Sequence, residues 1–176
     1  MKSARFLKFT YSKQKMINEK DIWNYLEEVS DPEIPVLTIV DLGVVRAVSV
    51  AEELCTVVIT PTYSGCPAMK VIEEDIIKLL NEKGITAVKV DLILFPPWTT
   101  DWISENGKNK LREYGIAPPE NEVDKSVLFS APTIVPCPLC RSKNTKMISQ
   151  FGSTACKAHY QCNDCLEPFD YFKCLR

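Results

Sequence analysis

Residues 54–84 read LCTVVITPTYSGCPAMKVIEEDIIKLLNEKG, and the hydrophobic period changes in the middle of the stretch. Before Pro61, the residues Cys55, Val57 and Ile59 alternate with more polar ones, which places them on one face of a β-strand. After Cys66, the residues Met69, Ile72, Ile76 and Leu79 or Leu80 recur at the spacing of one helix face. Pro67 suits the first position of that helix, and Gly84 suits the left-handed residue that ends it. A cysteine therefore stands at the joint between a strand and a helix.

Working outward, VVRAVSV (44–50) is a second β-branched run, joined to the first through Ala51-Glu52-Glu53, and the pair reads as an antiparallel hairpin. ITAVKVDLILF (85–95) is a third strand, whose Val88, Val90, Leu92 and Leu94 define a face to be buried. NEKDIWNYLEEVSD (18–31) is a helix with Ile22, Tyr25, Leu26 and Val29 on one side, Asn18 as its cap and Asp31-Pro32 as its end. PPWTTDWISENGKNKLREYG (96–115) is a loop followed by a weak helix, because Gly107 and two asparagines lower its propensity, and Gly115 terminates it. The order helix, strand, strand, helix, strand, helix predicts a small two-layer α+β domain over residues 16–116. Residues 117–131 are acidic and proline-containing and read as a linker with a docking stretch at Val127–Phe129. Residues 132–176 form a separate module.

Composition removes several classes. The net charge of −2 gives no overall field for nucleic acid or an anionic membrane surface. No run reaches the roughly 18 apolar residues of a membrane span. Residues 1–15 carry five Lys or Arg and no acid, without the apolar core of a secretory signal. They read as a disordered extension, a cloning remnant or the product of an early start codon, with Met16 the more natural beginning. A cytoplasmic setting follows as an expectation.

Six of the eight cysteines lie beyond residue 136. CPLC (137–140) and CNDC (162–165) are two Cys-x-x-Cys knuckles separated by 21 residues. Such knuckles can wrap one ion in a tetrahedral shell of four sulfurs, and with β-like segments between them they outline a zinc ribbon. A module of this size buries too little apolar surface to fold unaided, so structural zinc on Cys137, Cys140, Cys162 and Cys165 is expected to supply much of its stability. The same thiolates also suit iron or an iron–sulfur cluster. Cys156 and Cys174 are left over. They are read as packed thiols, with a second soft-metal site as the alternative. The module's formal charge, corrected for a zinc tetrathiolate, is too small to argue for nucleic acid. His159 is the only histidine, which all but removes imidazole-based general-base catalysis.

Cys66 has two readings. It is a small buried hydrophobe at a turn, or a thiol at a helix start, where free N–H groups and the helix dipole lower its pKa and favour a thiolate or a metal. Gly65 would let the backbone approach, and Thr60, Thr62 and Ser64 offer hydroxyls. Asp31 and Glu33 flank Pro32 as ordinary turn residues, or as hard oxygen ligands beside a soft thiolate.

SDPEIPVLTIVDLGVV (30–45), TPTYSGCPAM (60–69) and PPWTTDWIS (96–104) resemble the metal–sulfur cluster assembly domain, the SufT-like family. Joined to VPCPLC (135–140) and STACKAHYQCNDCLEPFDYFKC (153–174), they resemble the PaaD-like accessory proteins of phenylacetate degradation over about residues 16–176. The resemblance implies an iron–sulfur-cluster-assembly fold with a zinc ribbon. It also implies a non-enzymatic role in the phenylacetyl-CoA monooxygenase (epoxidase) system, assembling or delivering iron or iron–sulfur centres. Partners would be the oxygenase subunits or their iron–sulfur reductase, and a homodimer is left open. Iron or a cluster would be held transiently at Cys66, with Glu33 and Asp31 tuning the site. The chain departs from the pattern at its end, where Leu175 and Arg176 follow Cys174 in place of a terminal histidine. Trp98 and Trp102 match a family loop, as packing residues or as a partner contact. The rival readings are a stoichiometric structural subunit of the oxygenase and a thiol-redox enzyme, which needs a second cysteine near Cys66.

Overall fold

The computed structural model describes residues 17–51, 54–119 and 134–173. Helix α1 (Glu19–Leu26) starts at Asn18, whose side chain accepts the Asp21 N–H at 3.1 Å while the Asp21 carboxylate accepts the Asn18 N–H at 3.3 Å. This reciprocal cap satisfies donors that the helix cannot. The helix ends earlier than the proline rule suggests. Glu27 caps it, and Val29 is buried from the turn that follows.

Strands β1 (Val45–Ala51) and β2 (Leu54–Ile59) form the expected antiparallel hairpin, of which Glu52 and Glu53 lie outside the described residues. Helix α2 (Ala68–Glu82) follows, and Gly84 leaves it at φ +88°. Strand β3 (Val88–Leu92) pairs parallel to β2 at the edge of a sheet ordered β1-β2-β3. Ile22 and Leu26 of α1, Ile72 and Ile76 of α2, and Val57 and Ile59 of β2 share one core. The expected burial along β3 holds only in part. Val88 and Val90 are half-buried, but Leu92 and Leu94 are 53% and 60% exposed. Alternation names a face of a strand without saying whether another layer covers it.

A 3-10 turn (Thr100–Trp102) leads into α3 (Glu105–Glu113), whose cap Ser104 accepts the Gly107 N–H at 2.9 Å. Asp41 holds this segment to the loop before β1. It accepts from Ser104 Oγ at 2.7 Å, Asn106 Nδ2 at 3.1 Å and Lys110 Nζ at 2.6 Å. Burial alone would raise the Asp41 carboxyl, but these donors hold it below its ordinary value. The stabilisation is therefore present above the unfolded carboxyl pKa of about 3.9 and is lost as the pH falls through the lower folded value. Asp41→Asn is expected to cost about 1.5–3 kcal/mol at neutral pH, the range for bonds to a charged group. The gap to the unsubstituted protein should close under acid, as denaturant melts across pH will show. An Asp41→Asn gap that persists unchanged below that folded value would refute the assignment.

The second module is a four-stranded sheet ordered β4-β7-β6-β5, formed by β4 (Ile116–Ala117), β5 (Thr145–Ser149), β6 (Lys157–Cys162) and β7 (Pro168–Phe172). β5, β6 and β7 are antiparallel neighbours, and β4 adds to β7 in parallel. Strand β4 comes from the point where the first domain was expected to hand over to the linker, so the chain joins the second sheet before it leaves the first core. The stretch Val127–Phe129, residues 1–15 and Cys174 lie outside the described residues.

The two modules share an interior. Phe172 and Cys156 belong to the larger core, and the Trp98 and Phe172 rings lie 5.9 Å apart. Trp98 is 5% exposed and donates through Nε1 to the Leu42 carbonyl at 3.0 Å. It is thus a packing residue, and burial removes it from any partner contact. Trp102 is half-buried beneath the Arg46 guanidinium, 3.3 Å from the ring centroid.

Candidate functional site

The four knuckle sulfurs converge as their spacing predicted. Sγ atoms of Cys137, Cys140, Cys162 and Cys165 all lie within 4.8 Å of one another. Cys140–Cys162 is 3.5 Å and Cys137–Cys165 is 3.8 Å. Four sulfurs placed tetrahedrally at the Zn–S distance of about 2.3 Å would lie about 3.8 Å apart. The residues present therefore fit a zinc tetrathiolate. Cys137 and Cys162 are buried, which suits a closed structural site.

The loops around these sulfurs favour anions. The Cys165 N–H, followed by that of Asp164, holds the Cys162 thiol down to about 7. The Glu167 N–H likewise favours the Cys165 thiolate, but burial and the crowding of the other thiols outweigh it and push that group up to about 12. Thiols that oppose each other's ionisation in this way accept a divalent cation, which cancels the repulsion.

The second site lies at the strand–helix joint. Cys66 is half-buried. The Ala68 N–H and the Tyr63 hydroxyl both bond its sulfur, and Glu33 and Asp31 lie close enough to act on its charge. The expected helix-start geometry is present, yet the thiol moves the other way. Burial comes first in raising it, the two bonds oppose, and the carboxylates raise it again. The expectation of a depressed pKa is corrected: burial and the nearby acids outweigh the amide and the helix end. At neutral pH Cys66 is therefore a thiol.

Gly65 contributes differently from the expectation too. Its φ is +82°, and a Cβ there would meet nothing within 4 Å. The turn needs its left-handed conformation, not a close approach. Of the three hydroxyls around the turn, Ser64 is exposed, and Thr60 Oγ1 is buried with no hydrogen-bond partner among the described residues. Tyr63 fills that role instead. Its own hydroxyl is driven well above the usual range by burial first, then by Cys66, Glu33 and Cys156. Tyrosine three residues before the cysteine was readable in the turn, but a hydroxyl at the end of a ring gives no local signal of where it reaches.

Asp31 and Glu33 divide the work of the acidic turn. Asp31 is 6% exposed, and its Oδ1 accepts the N–H groups of Glu33 at 2.8 Å and Ile34 at 2.9 Å. Burial pushes its carboxyl up despite those bonds. It shapes the turn. Glu33 is half-buried, and its Oε2 lies 3.7 Å from Cys156 Sγ. Cys156, expected as a packed thiol, is 4% exposed, so its burial agrees with that reading; its neighbours do not stop at hydrocarbon. Thr154 Oγ1 is 3.0 Å from the sulfur, and the buried Lys157 reaches the Glu33 carbonyl at 3.4 Å. Burial pushes this thiol up to about 11. Cys55 faces the core from β2 at 1% exposed, away from this chemistry. His159 pairs with Asp170 across β6 and β7 at 3.3 Å and belongs to neither site.

Residues 121–173 match the family described as the PaaD zinc β-ribbon domain, and residues 19–92 match the iron–sulfur cluster assembly protein family. Over 155 residues the chain is 50% identical to an Escherichia coli protein named, provisionally, as a subunit of 1,2-phenylacetyl-CoA epoxidase; the match covers 88% of this chain and 92% of that one. Its first domain is 42% identical over 95 residues to an Fe–S protein maturation auxiliary factor of Porphyromonas gingivalis, covering 53% of this chain and 90% of that protein. A crystal structure of a domain of unknown function from Bacillus anthracis superposes with a TM-score of 0.50 at 32% identity, covering 53% of this chain and 90% of that one. Among the described residues no helix is long and apolar enough to cross a membrane.

Proposed function

This chain belongs to the PaaD family, in which an iron–sulfur cluster assembly domain is joined to a zinc β-ribbon, and from that premise we propose that it is a non-catalytic maturation factor of a phenylacetyl-CoA epoxidase system. Its cargo is iron or an iron–sulfur cluster, held transiently on Cys66 and passed to an oxygenase subunit or its iron–sulfur reductase in the cytoplasm. The observation that carries this reading is the joint at Cys66, where a half-buried sulfur meets the Ala68 N–H and the Tyr63 hydroxyl at the start of a helix, with the carboxylates of the Asp31–Glu33 turn near enough to act on its charge. Relatives of the first domain named as Fe–S maturation auxiliary factors support it.

Each residue has a task in the transfer. Cys66 is neutral without cargo, which protects it from oxidation, since the thiolate is the reactive form. An arriving cation displaces its proton, and the Ala68 N–H and Tyr63 hydroxyl then stabilise the thiolate. Glu33 supplies a hard oxygen that releases iron more readily than a thiolate would. Asp31 keeps the turn in shape, and zinc on the ribbon's four cysteines holds the docking module together.

Cys66→Ser is the test. The variant should fold and keep its zinc but abolish epoxidase activation in cells that lack the unsubstituted chain. Protein purified without oxygen should lose its substoichiometric iron while retaining one zinc, as elemental analysis will show. Full activation by the variant, with the chain co-purifying at a fixed ratio during turnover, would favour a structural subunit instead.

A further inference from the structure

Among the described residues β3 has one sheet neighbour, β2, and its other side is an edge. The Cys55 N–H donates to the Ala87 carbonyl and the Ile93 N–H to the Ile59 carbonyl, both at 2.9 Å. Backbone groups alternate in direction along a strand, so residues 87, 89, 91 and 93 bond toward β2. Val88, Val90 and Leu92 turn their N–H and C=O groups to the open side. Side chains alternate as well. Val88, Val90 and Leu92 share a face with Cys55, Val57 and Ile59. Lys89 and Asp91 lie on the opposite face, where their side chains, 58% and 39% exposed, form an ion pair at 3.0 Å. We propose that this edge pairs antiparallel with β3 of a second copy of the chain, centred on Val90, and so joins the two sheets into one.

Charge selects both the occupant and the register. The run Val88-Lys89-Val90-Asp91-Leu92 complements itself when reversed about Val90. Antiparallel pairing there sets Lys89 against Asp91 of the second copy, and Asp91 against Lys89 of the second copy, with the opposed side chains on one face. These are the non-hydrogen-bonded positions of the ladder, where side chains come closest. Val90 opposite Val90, and Val88 opposite Leu92 on either side, exchange about six hydrogen bonds through their outward groups. Moving the centre by one residue opposes Lys89 to Lys89 or Asp91 to Asp91, and like charges directly opposite destabilise a sheet. Charge on an edge strand ordinarily keeps other strands away. Opposite charges two residues apart instead admit one partner well, an identical strand. The pairing also covers Leu92, which is 53% exposed. Such a two-fold contact closes on itself, so it yields a dimer and not a fibre. With the strands opposed, the Cys66 turns, which follow the C-terminal end of β2, come to opposite ends of the joined sheet. Each copy keeps its own site, and the pairing is independent of what Cys66 carries.

Sedimentation and amide hydrogen exchange of the zinc-loaded full chain test the pairing. A dimer should form as concentration rises, and the amides of Val88, Val90 and Leu92 should gain protection with it. Lys89→Asp and Asp91→Lys should each weaken dimerisation about tenfold or more, because both attractive cross-strand pairs become repulsive. The two single variants mixed together should form a heterodimer, since every opposed pair is then of opposite sign. The doubly reversed chain, Lys89→Asp with Asp91→Lys, should dimerise again. A variant that merely misfolded would show neither rescue. A chain that stays monomeric at about 1 mM overturns the proposal, as does a dimer whose affinity ignores these charges. Protection of the three amides that does not depend on concentration means that the edge is covered within one copy, and also overturns it. Protection that appears only when an oxygenase subunit is added assigns the edge to a client and overturns the self-pairing.

Discussion

Removing zinc with a strong chelator is expected to unfold residues 134–173 while α1, α2 and the β1-β2-β3 sheet persist. The ribbon's own interior is small: Val135, Ala158, Tyr160, Phe169 and Tyr171 with two of the ligand cysteines. That burial is too little to order some forty residues, each of which costs about 1–2 kcal/mol of backbone entropy. Zinc binding supplies folding free energy in modules of this kind, so the metal is what orders the ribbon. Hydrogen exchange with and without chelator measures this directly. Amides of β5, β6 and β7 should lose protection, those of α2 should keep it, and Cys140→Ser should behave like the chelator. The pH dependence has a definite sign: protons compete with zinc for sulfur, so retention should weaken as the pH falls and sulfurs are protonated. Unchanged protection in β6 after zinc loss would mean that packing alone holds the ribbon.

Trp98→Ala is the second large effect. The ring is buried, contacts Phe172 of the ribbon, and leaves Leu42 O without its donor when removed. Large-to-small changes of a buried tryptophan cost about 3–5 kcal/mol, and the unpaired carbonyl falls within the same loss. For a chain of this length the melting temperature should drop by roughly ten degrees. Trp98→Phe keeps a ring against Phe172 but not the N–H, and should recover a large part of the loss. A melting temperature within about two degrees of the unsubstituted protein, too small for a loss of this size, would show that Trp98 does not join the modules.

Much of this protein was legible before any coordinates. The paired knuckles specified their own site, because Cys-x-x-Cys spacing sets two sulfurs on one turn and a soft ion selects the four. The strand–turn–helix at Cys66 and the capped helix at Asn18 were equally local, since each depends on period and on residues within a few positions. Tertiary structure decided the rest. Glu33 and Cys156 meet because the ribbon folds back on the first domain, a contact that no window of sequence contains. The exposure of Leu92 and Leu94 depended on what covers a sheet edge. The sign of the Cys66 shift depended on a competition between the Ala68 amide and the burial and carboxylates around it, and only the packed interior sets those magnitudes. Local spacing thus determined which atoms could bind a metal, while the docking of two modules determined which of them face each other.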